Sequence, residues 1–418
     1  MTEKWWEAPA STGPIDSTVL LPGSKSETAR ALMLRARREA ANVSGSLKIL
    51  HALKARDTEL MLSALEPGKQ TVDCGLAGTV MRFVPAIAAF RPGQTVFDGD
   101  DAARKRPLAP LMNALESLGA TIQYLGEPGY LPLRVTGVER PTKEDVELDS
   151  SGSSQFLSAL LLACPSPLRI HLTQNIPSLP HVELTAQMLR QQGINAGKIS
   201  PRSWFTTGGV PDASPITIAP DLSNAGPFLA AALICGGKVT VPHWPAVTEQ
   251  AGDAWQWILP HFGATVKKDD SNLTVSHNGR PWNGVHLNLR EVGELTPTVA
   301  ALATLGDSQT VLSGIGHLRG HETDRLEALK TEIIRAGGNA EVTSDSLIIT
   351  PGNLHAADFH SYGDHRMATF GACLALALPG SRIMDIETTS KTLPDFTIRW
   401  EAMLAGVPSP TPEELDLG

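Results

Sequence analysis

The sequence predicts an α/β protein built from repeats and divided into two domains. Three observations carry this expectation. One pattern recurs along the chain: an Ala/Leu-rich apolar helix, a Gly or Pro break, then a β-rich run. Between these copies lie more amphipathic helices that run into strands of their own. Finally, 418 residues exceed what a single core holds comfortably, so two domains are expected.

In chain order the apolar copies begin with ARALMLRARREAANVSGSLKIL, followed by the weaker partner TELMLSALEPGKQTVDCG. TVMRFVPAIAAFRPGQTVFDG is followed by PLMNALESLGATIQYL, and FLSALLLACPSPLRIHLT by the weaker LTAQMLRQQGINAGKI. FLAAALICGGKVTVPHW leads to AWQWILPHFGATVKKD, and TVAALATLGDSQTVLSGI to LEALKTEIIRAGGNAEVTSDSLIIT. MATFGACLALALPGSRIMDI comes last, with FTIRWEAML closing the pattern. This makes six copies of a two-helix α/β module of about 70 residues each. Helices apolar nearly all round belong at a domain centre, and those with a charged face belong nearer solvent. Pro220 and Asp221 interrupt the pattern near the midpoint, and LLPGSK near residue 22 is a second short link. The expected domains are therefore residues 1–22 with 221–418, and residues 23–220, joined by two links that let the halves hinge. The Pro-rich tail GVPSPTPEELDLG reads as a surface terminus.

The chain is 42% hydrophobic and 19% charged, as in a soluble globular protein. MTEKWWEAPA carries early charges and no apolar run, so no signal peptide is expected. The longest apolar runs fall short of the ~20 residues of a membrane span. Cys74, Cys164, Cys235 and Cys373 show no CxxC and no Cys/His metal spacing, which points to reduced thiols, a cytoplasmic setting and no metal site. A net charge of −9 disfavours nucleic acid, while a local group of cations can still bind a small anion.

The residues preceding the helices supply such a group. Lys25, Ser26 and Arg30 stand at the first mouth, and Gly78 with Arg82 at the second. Ser153, Ser154 and Gln155 precede the third apolar helix, Glu294 the fifth, and Asp364, His365 and Arg366 the sixth. Arg106, Ser178, Lys391 and the run His321, Glu322, Arg325 stand before amphipathic helices. Helix N-termini present unpaired N–H groups and a positive dipole end, and Gly and Ser let an anion approach closely. Any one such Ser or Asp is ordinarily a helix cap, and any one Arg a solvated side chain. The repetition of cations at matching points of the repeat favours a site for several phosphates or carboxylates instead. GSKS lacks the earlier glycine of a P-loop and is not read as one.

At this point LPGSKSETAR, GLAGTVMRF, KRPLAPLMNAL, SSGSSQFLSALLLA, GHETDRL, YGDHRMA and SKTLPDF resemble, in order, the motifs of the 5-enolpyruvylshikimate-3-phosphate synthase family. The resemblance runs from about residue 21 to residue 396. It implies two domains of three βαββαβ units each, with helix N-termini facing the interdomain cleft and the active site between them. It implies a monomeric, cytoplasmic transferase without cofactor that moves the enolpyruvyl group of phosphoenolpyruvate (PEP) to the 5-hydroxyl of 3-phosphoshikimate. Carried over by motif, 3-phosphoshikimate is expected at Lys25, Ser26, Arg30, Ser153, Ser154, Gln155, Ser178, Glu294 and His321. PEP is expected at Lys25, Gly78, Arg106, Gln155, Arg325, Arg366 and Lys391. Glu294 is the expected base, Glu322 the proton donor, and Lys25 the group that assists phosphate departure. Ala29, Leu76, His181, Glu294 and His321 depart from common family choices. The resemblance also implies competition between PEP and glyphosate. Two alternatives share this fold. An enolpyruvyl transferase acting on UDP-N-acetylglucosamine typically has Asn after the first Lys and a loop cysteine, whereas Ser26 follows Lys25 here and no cysteine lies between Gly99 and Pro107. A non-catalytic binding protein of the same fold would be expected to lack Lys25, Glu294 or Glu322, and all are present.

Overall fold

Paired apolar and amphipathic helices form at all six copies of the repeat in the computed structural model, which describes residues 4–320 and 322–418. The apolar members are α1 (Lys25–Ala40), α3 (Gly78–Ala88), α5 (Ser154–Ala163), α7 (Ala225–Ile234), α9 (Thr296–Thr304) and α11 (His365–Ala377). Their partners are α2 (Arg56–Ala64), α4 (Ala109–Ser117), α6 (Pro180–Gln191), α8 (Trp255–His261), α10 (Arg325–Arg335) and α12 (Phe396–Ala405). Every residue of α9 is buried, as is all of α5 except Gln155, because neither helix has a polar face to offer water. In α10, by contrast, Leu326, Leu329 and Ile333 turn inward while Glu327, Lys330 and Thr331 do not, which is the one-sided burial its pattern predicts.

Each module contributes a sheet, and four of the six sheets share one pattern. Thr71–Asp73 runs parallel to Gly93–Asp98, which is antiparallel to Leu133–Gly137, which is antiparallel to Thr121–Tyr124. A helical crossover permits the parallel pair and tighter reversals make the antiparallel ones. The same order recurs from Asp145–Leu148, from Ile15–Thr18 and from His286–Asn288. The two remaining sheets have three strands and recruit chain ends, with Trp5–Glu7 on Arg382–Met384 and Glu414–Leu417 on Ile49–Leu53.

The chain divides into two units. The first comprises the segment ending at Pro22 together with Ala219–Glu413, and the second comprises Gly23–Ile218 with Glu414–Gly418. In the first unit α7, α9 and α11 pack on one another, and in the second α1, α3 and α5 do so. The tail corrects the sequence reading. It is not merely a surface terminus, and its last residues do not lie with residues 221–413. Glu414–Leu417 forms a strand in the second unit, with Leu415 and Leu417 packed against that unit's core. The chain therefore crosses between units once more than the two expected links. Strand pairing is backbone bonding between distant segments, so a short polar run such as EELDL hides it. Among the described residues, no helix is long and apolar enough to cross a membrane.

Candidate active site

The second unit gathers its expected residues around the N-termini of α1, α3 and α5. Ser24 caps α1, accepting from the Glu27 N–H at 3.3 Å, and this places Lys25 in the first turn. The Lys25 Nζ lies 3.7 Å from Oδ2 of Asp57, a nearly buried carboxylate in the first turn of α2. Ser26 is half-buried beside it. Arg30 is 2% exposed and braces the protein. Its Nε donates to Thr185 Oγ1 at 2.7 Å, and its Nη1 and Nη2 donate to the Ser26 and His181 carbonyls at 2.8 Å each. The guanidinium also stacks near the Phe83 ring, at 5.6 Å from its centroid. Its first task is thus to hold the backbone that presents Ser26 and the start of α6.

Ser153 caps α5 by accepting from the Gln155 N–H at 3.3 Å, with Ser154 buried in the first turn. Gln155 Oε1 accepts from Arg82 Nη1 at 2.8 Å, joining the mouths of α3 and α5. Gly78 opens α3 beneath two guanidinium groups, where an added Cβ would lie 3.0 Å from Arg106 Nη2 and 3.1 Å from Arg82 Nη1. Arg106 follows a short 3-10 turn rather than standing inside a helix. It is 8% exposed, and its side chain's one hydrogen bond among the described residues is a 3.3 Å contact from Nη1 to the Leu76 carbonyl. No carboxylate pairs with it among those residues, and its Nε is buried without an acceptor. Ser178 adopts a left-handed φ of 53° just before α6, with its carbonyl accepting from the His181 N–H at 3.1 Å.

The first unit assembles its residues around α7, α9, α10 and α11. Glu294 lies in the last turn of a 3-10 stretch leading into α9, and its Oε1 accepts from Ser223 Oγ at the mouth of α7. The residue before it must be small: a Cβ on Gly293 would lie 2.5 Å from His317 Nε2. Burial, reinforced by Arg290 and Arg325, pushes the His317 imidazole down from the usual 6.5 to about 4. The sign follows directly. The fold prefers the neutral ring, so the full contribution is present above pH 6.5 and is lost as pH falls toward 4, on the order of 2–3 kcal/mol. His317→Asn should therefore flatten the decline of the unfolding midpoint across that window, and parallel profiles for the two proteins would refute the assignment.

Arg325 begins α10 behind the cap of Asp324 and is 2% exposed. Its Nε and Nη2 grip Asp364 at 2.7 and 3.2 Å, and Nη2 also reaches Glu322 at 3.0 Å. Burial opposes its charge, but Asp364 and Glu322 outweigh that and hold the guanidinium protonated. The other oxygen of Glu322 accepts from Lys391 Nζ at 2.9 Å, so this carboxylate sits between two cations. Lys391 stands at the end of a 3-10 turn, several residues ahead of α12. Asp364 also caps α11, accepting from the Arg366 N–H at 2.8 Å, while the half-buried Arg366 guanidinium has no hydrogen-bond partner among the described residues. His321 lies outside the described residues. The sequence assigned no role to Asp57 or Ser223, and it placed Asp364 at a helix mouth without its partner; only the folded positions reveal the pairings with Lys25, Glu294 and Arg325. Among the described residues, no group of three or more His, Cys, Asp or Glu side chains is placed to hold a metal ion.

Comparison with known proteins adds to this geometry. Residues 9–400 match the family model described as EPSP synthase (3-phosphoshikimate 1-carboxyvinyltransferase). A 3-phosphoshikimate 1-carboxyvinyltransferase of Kocuria rhizophila is 46% identical over 435 aligned residues, covering 96% of each chain. Among solved structures, the EPSP synthase of Acinetobacter baumannii superposes with a TM-score of 0.76 at 23% identity, over 97% of this chain and 99% of that one. The enolpyruvyl transferase NikO of Streptomyces tendae gives 0.73 at 15% identity, over 95% and 96% of the two chains. These last two speak to the fold alone. The family match spans every one of the helix mouths described above, and with it the chain belongs to the EPSP synthase (3-phosphoshikimate 1-carboxyvinyltransferase) family.

Proposed function

We propose that the residues gathered in the two units divide the work of the family reaction between them. That reaction transfers the enolpyruvyl group of PEP to the 5-hydroxyl of 3-phosphoshikimate and releases phosphate. The observation that best supports the assignment is Arg106. A guanidinium 8% exposed, held by one long hydrogen bond, is costly to bury without an anion. PEP brings a carboxylate and a phosphate, and guanidinium forks suit both. In this reading Lys25, Gly78, Arg106 and Gln155 contact PEP from the second unit, and Arg325, Arg366 and Lys391 from the first. Lys25, Ser26, Arg30, Ser153, Ser154, Gln155 and Ser178 take 3-phosphoshikimate, with Glu294 and His321 completing its site.

Glu294 takes the proton of the 5-hydroxyl as its oxygen attacks the phosphate-bearing carbon of PEP. Glu322 gives a proton to the methylene carbon, which becomes a methyl group. The methyl then returns a proton as the double bond reforms and phosphate leaves, with Lys25 neutralising the departing charge. Arg325 and Lys391 both donate to Glu322, so PEP, in engaging these two cations, would compete with that carboxylate for them. Holding both substrates also removes much of the entropic cost of their encounter.

Phosphate release from PEP, measured with 3-phosphoshikimate and then with UDP-N-acetylglucosamine, tests the assignment. Release should require 3-phosphoshikimate, and turnover with the nucleotide sugar alone would overturn it. Gly78 offers a finer test. Its Cβ would crowd Arg106 and Arg82 at 3.0–3.2 Å, so both side chains must yield by a few tenths of an ångström. Glyphosate is longer than PEP and should feel that displacement more. Gly78→Ala should raise the inhibition constant for glyphosate by a larger factor than the KM for PEP, and equal losses would mean that Gly78 does not line the pocket.

A further inference from the structure

Helix α10 begins with Arg325 and carries Glu332 two turns later, on the same face. Glu332 is 0% exposed. Its Oε1 accepts from the Tyr362 hydroxyl at 2.6 Å, and its Oε2 accepts from the His360 N–H at 3.1 Å and from Arg335 Nε at 3.0 Å. The segment it holds is the approach to α11. There the Asp364 N–H donates to the Ser361 carbonyl at 2.8 Å and closes a tight turn. Both central residues are left-handed, Tyr362 at φ 56° and Gly363 at φ 67°. Such a turn favours Asn-Gly, and a bulky aromatic at its first central position is strained. The strained residue is the one whose hydroxyl is bound to the buried carboxylate. The turn then delivers Asp364, which grips Arg325, and Arg366, whose backbone N–H Asp364 caps and which the proposed function assigns to PEP. Helix α10 thus holds this turn at two points, through Arg325 and through Glu332.

We propose that Glu332 and Tyr362 are positioning residues that fix the Asp364–Arg366 turn against α10 and so set the spacing of the Arg325 and Arg366 guanidinium groups. The inference rests on the reading that these two arginines take PEP. Burial, together with the hydrogen bond to Glu332, raises the Tyr362 phenol to about 12, so the hydroxyl keeps its proton and donates at any working pH. A clamp of this kind acts on binding of one substrate. It touches neither the carboxylates that move protons nor the residues assigned to 3-phosphoshikimate.

The test separates positioning from plain stability. Tyr362→Phe keeps the ring and the strained backbone and removes only the donor. Its KM for PEP should rise about tenfold, the loss expected for one hydrogen bond to a charged group, with kcat and the KM for 3-phosphoshikimate within twofold. Tyr362→Gly relieves the left-handed strain, so its unfolding midpoint should match or exceed that of Tyr362→Phe. Its PEP KM should nevertheless stay raised. A PEP KM at the wild-type value in either variant overturns the proposal, as does a KM that simply follows the unfolding midpoint. Arg366→Ala, measured alongside, keeps the two readings apart. An unchanged PEP KM there removes the ligand site and the clamp's purpose together. A raised PEP KM there with an unchanged Tyr362→Phe sinks the clamp alone.

Discussion

Replacing Lys25 by methionine should lower turnover by about 10²–10³-fold, the cost of removing one electrostatic stabiliser from a preorganised site, or about 2.7–4 kcal/mol. Methionine keeps most of the alkyl length, so the loss reports the charge. Lys25 is placed for this work by its position in the first turn of α1, behind the Ser24 cap and 3.7 Å from Asp57. Its side chain is 22% exposed, and Asp57 limits its wandering. The proposed roles make the effect large: it meets both substrates and neutralises phosphate as that group leaves. Retention of more than a tenth of wild-type turnover, about 1.4 kcal/mol of barrier, would show that another group carries the charge. The unfolding midpoint should be followed in parallel, because the variant also leaves Asp57 without this cation.

Glu322→Gln should lower turnover by about 100-fold or more while leaving 3-phosphoshikimate binding nearly intact, the usual worth of a general acid–base group. Glutamine preserves the shape and can still accept from Arg325 and Lys391, but it cannot pass a proton. Arg325 retains Asp364 as its principal counter-charge, at 2.7 and 3.2 Å, so collapse of the site is not expected. The variant also removes the negative charge that competes with PEP for Arg325 and Lys391. Its KM for PEP should therefore hold steady or fall even as kcat collapses, a split that a merely structural role would not produce. Weakened 3-phosphoshikimate binding with turnover largely kept would instead place Glu322 among the scaffold residues.

The sequence alone determined the repeat and the chemistry. Six apolar helices show in composition because a helix buried on every side must be apolar on every side, as α5 and α9 are. The candidate site's residue types were legible because helix starts are local features: Ser24, Asp324 and Asp364 cap the turns beside them, and Lys25, Arg325 and Arg366 stand within those turns. The tertiary structure decided which of these groups meet, and which are already engaged by the protein. Asp57 beside Lys25, Asp364 around Arg325, and Glu322 between Arg325 and Lys391 join residues from different elements. Arg30 stands at a helix mouth by position, and the fold adds that its nitrogens brace Thr185, His181 and Ser26. The tail looked like a solvated terminus, yet it pairs with Ile49–Leu53. Helix periodicity and caps are written in neighbouring residues, whereas ion pairs and strand pairing depend on distances between segments that only the folded backbone sets.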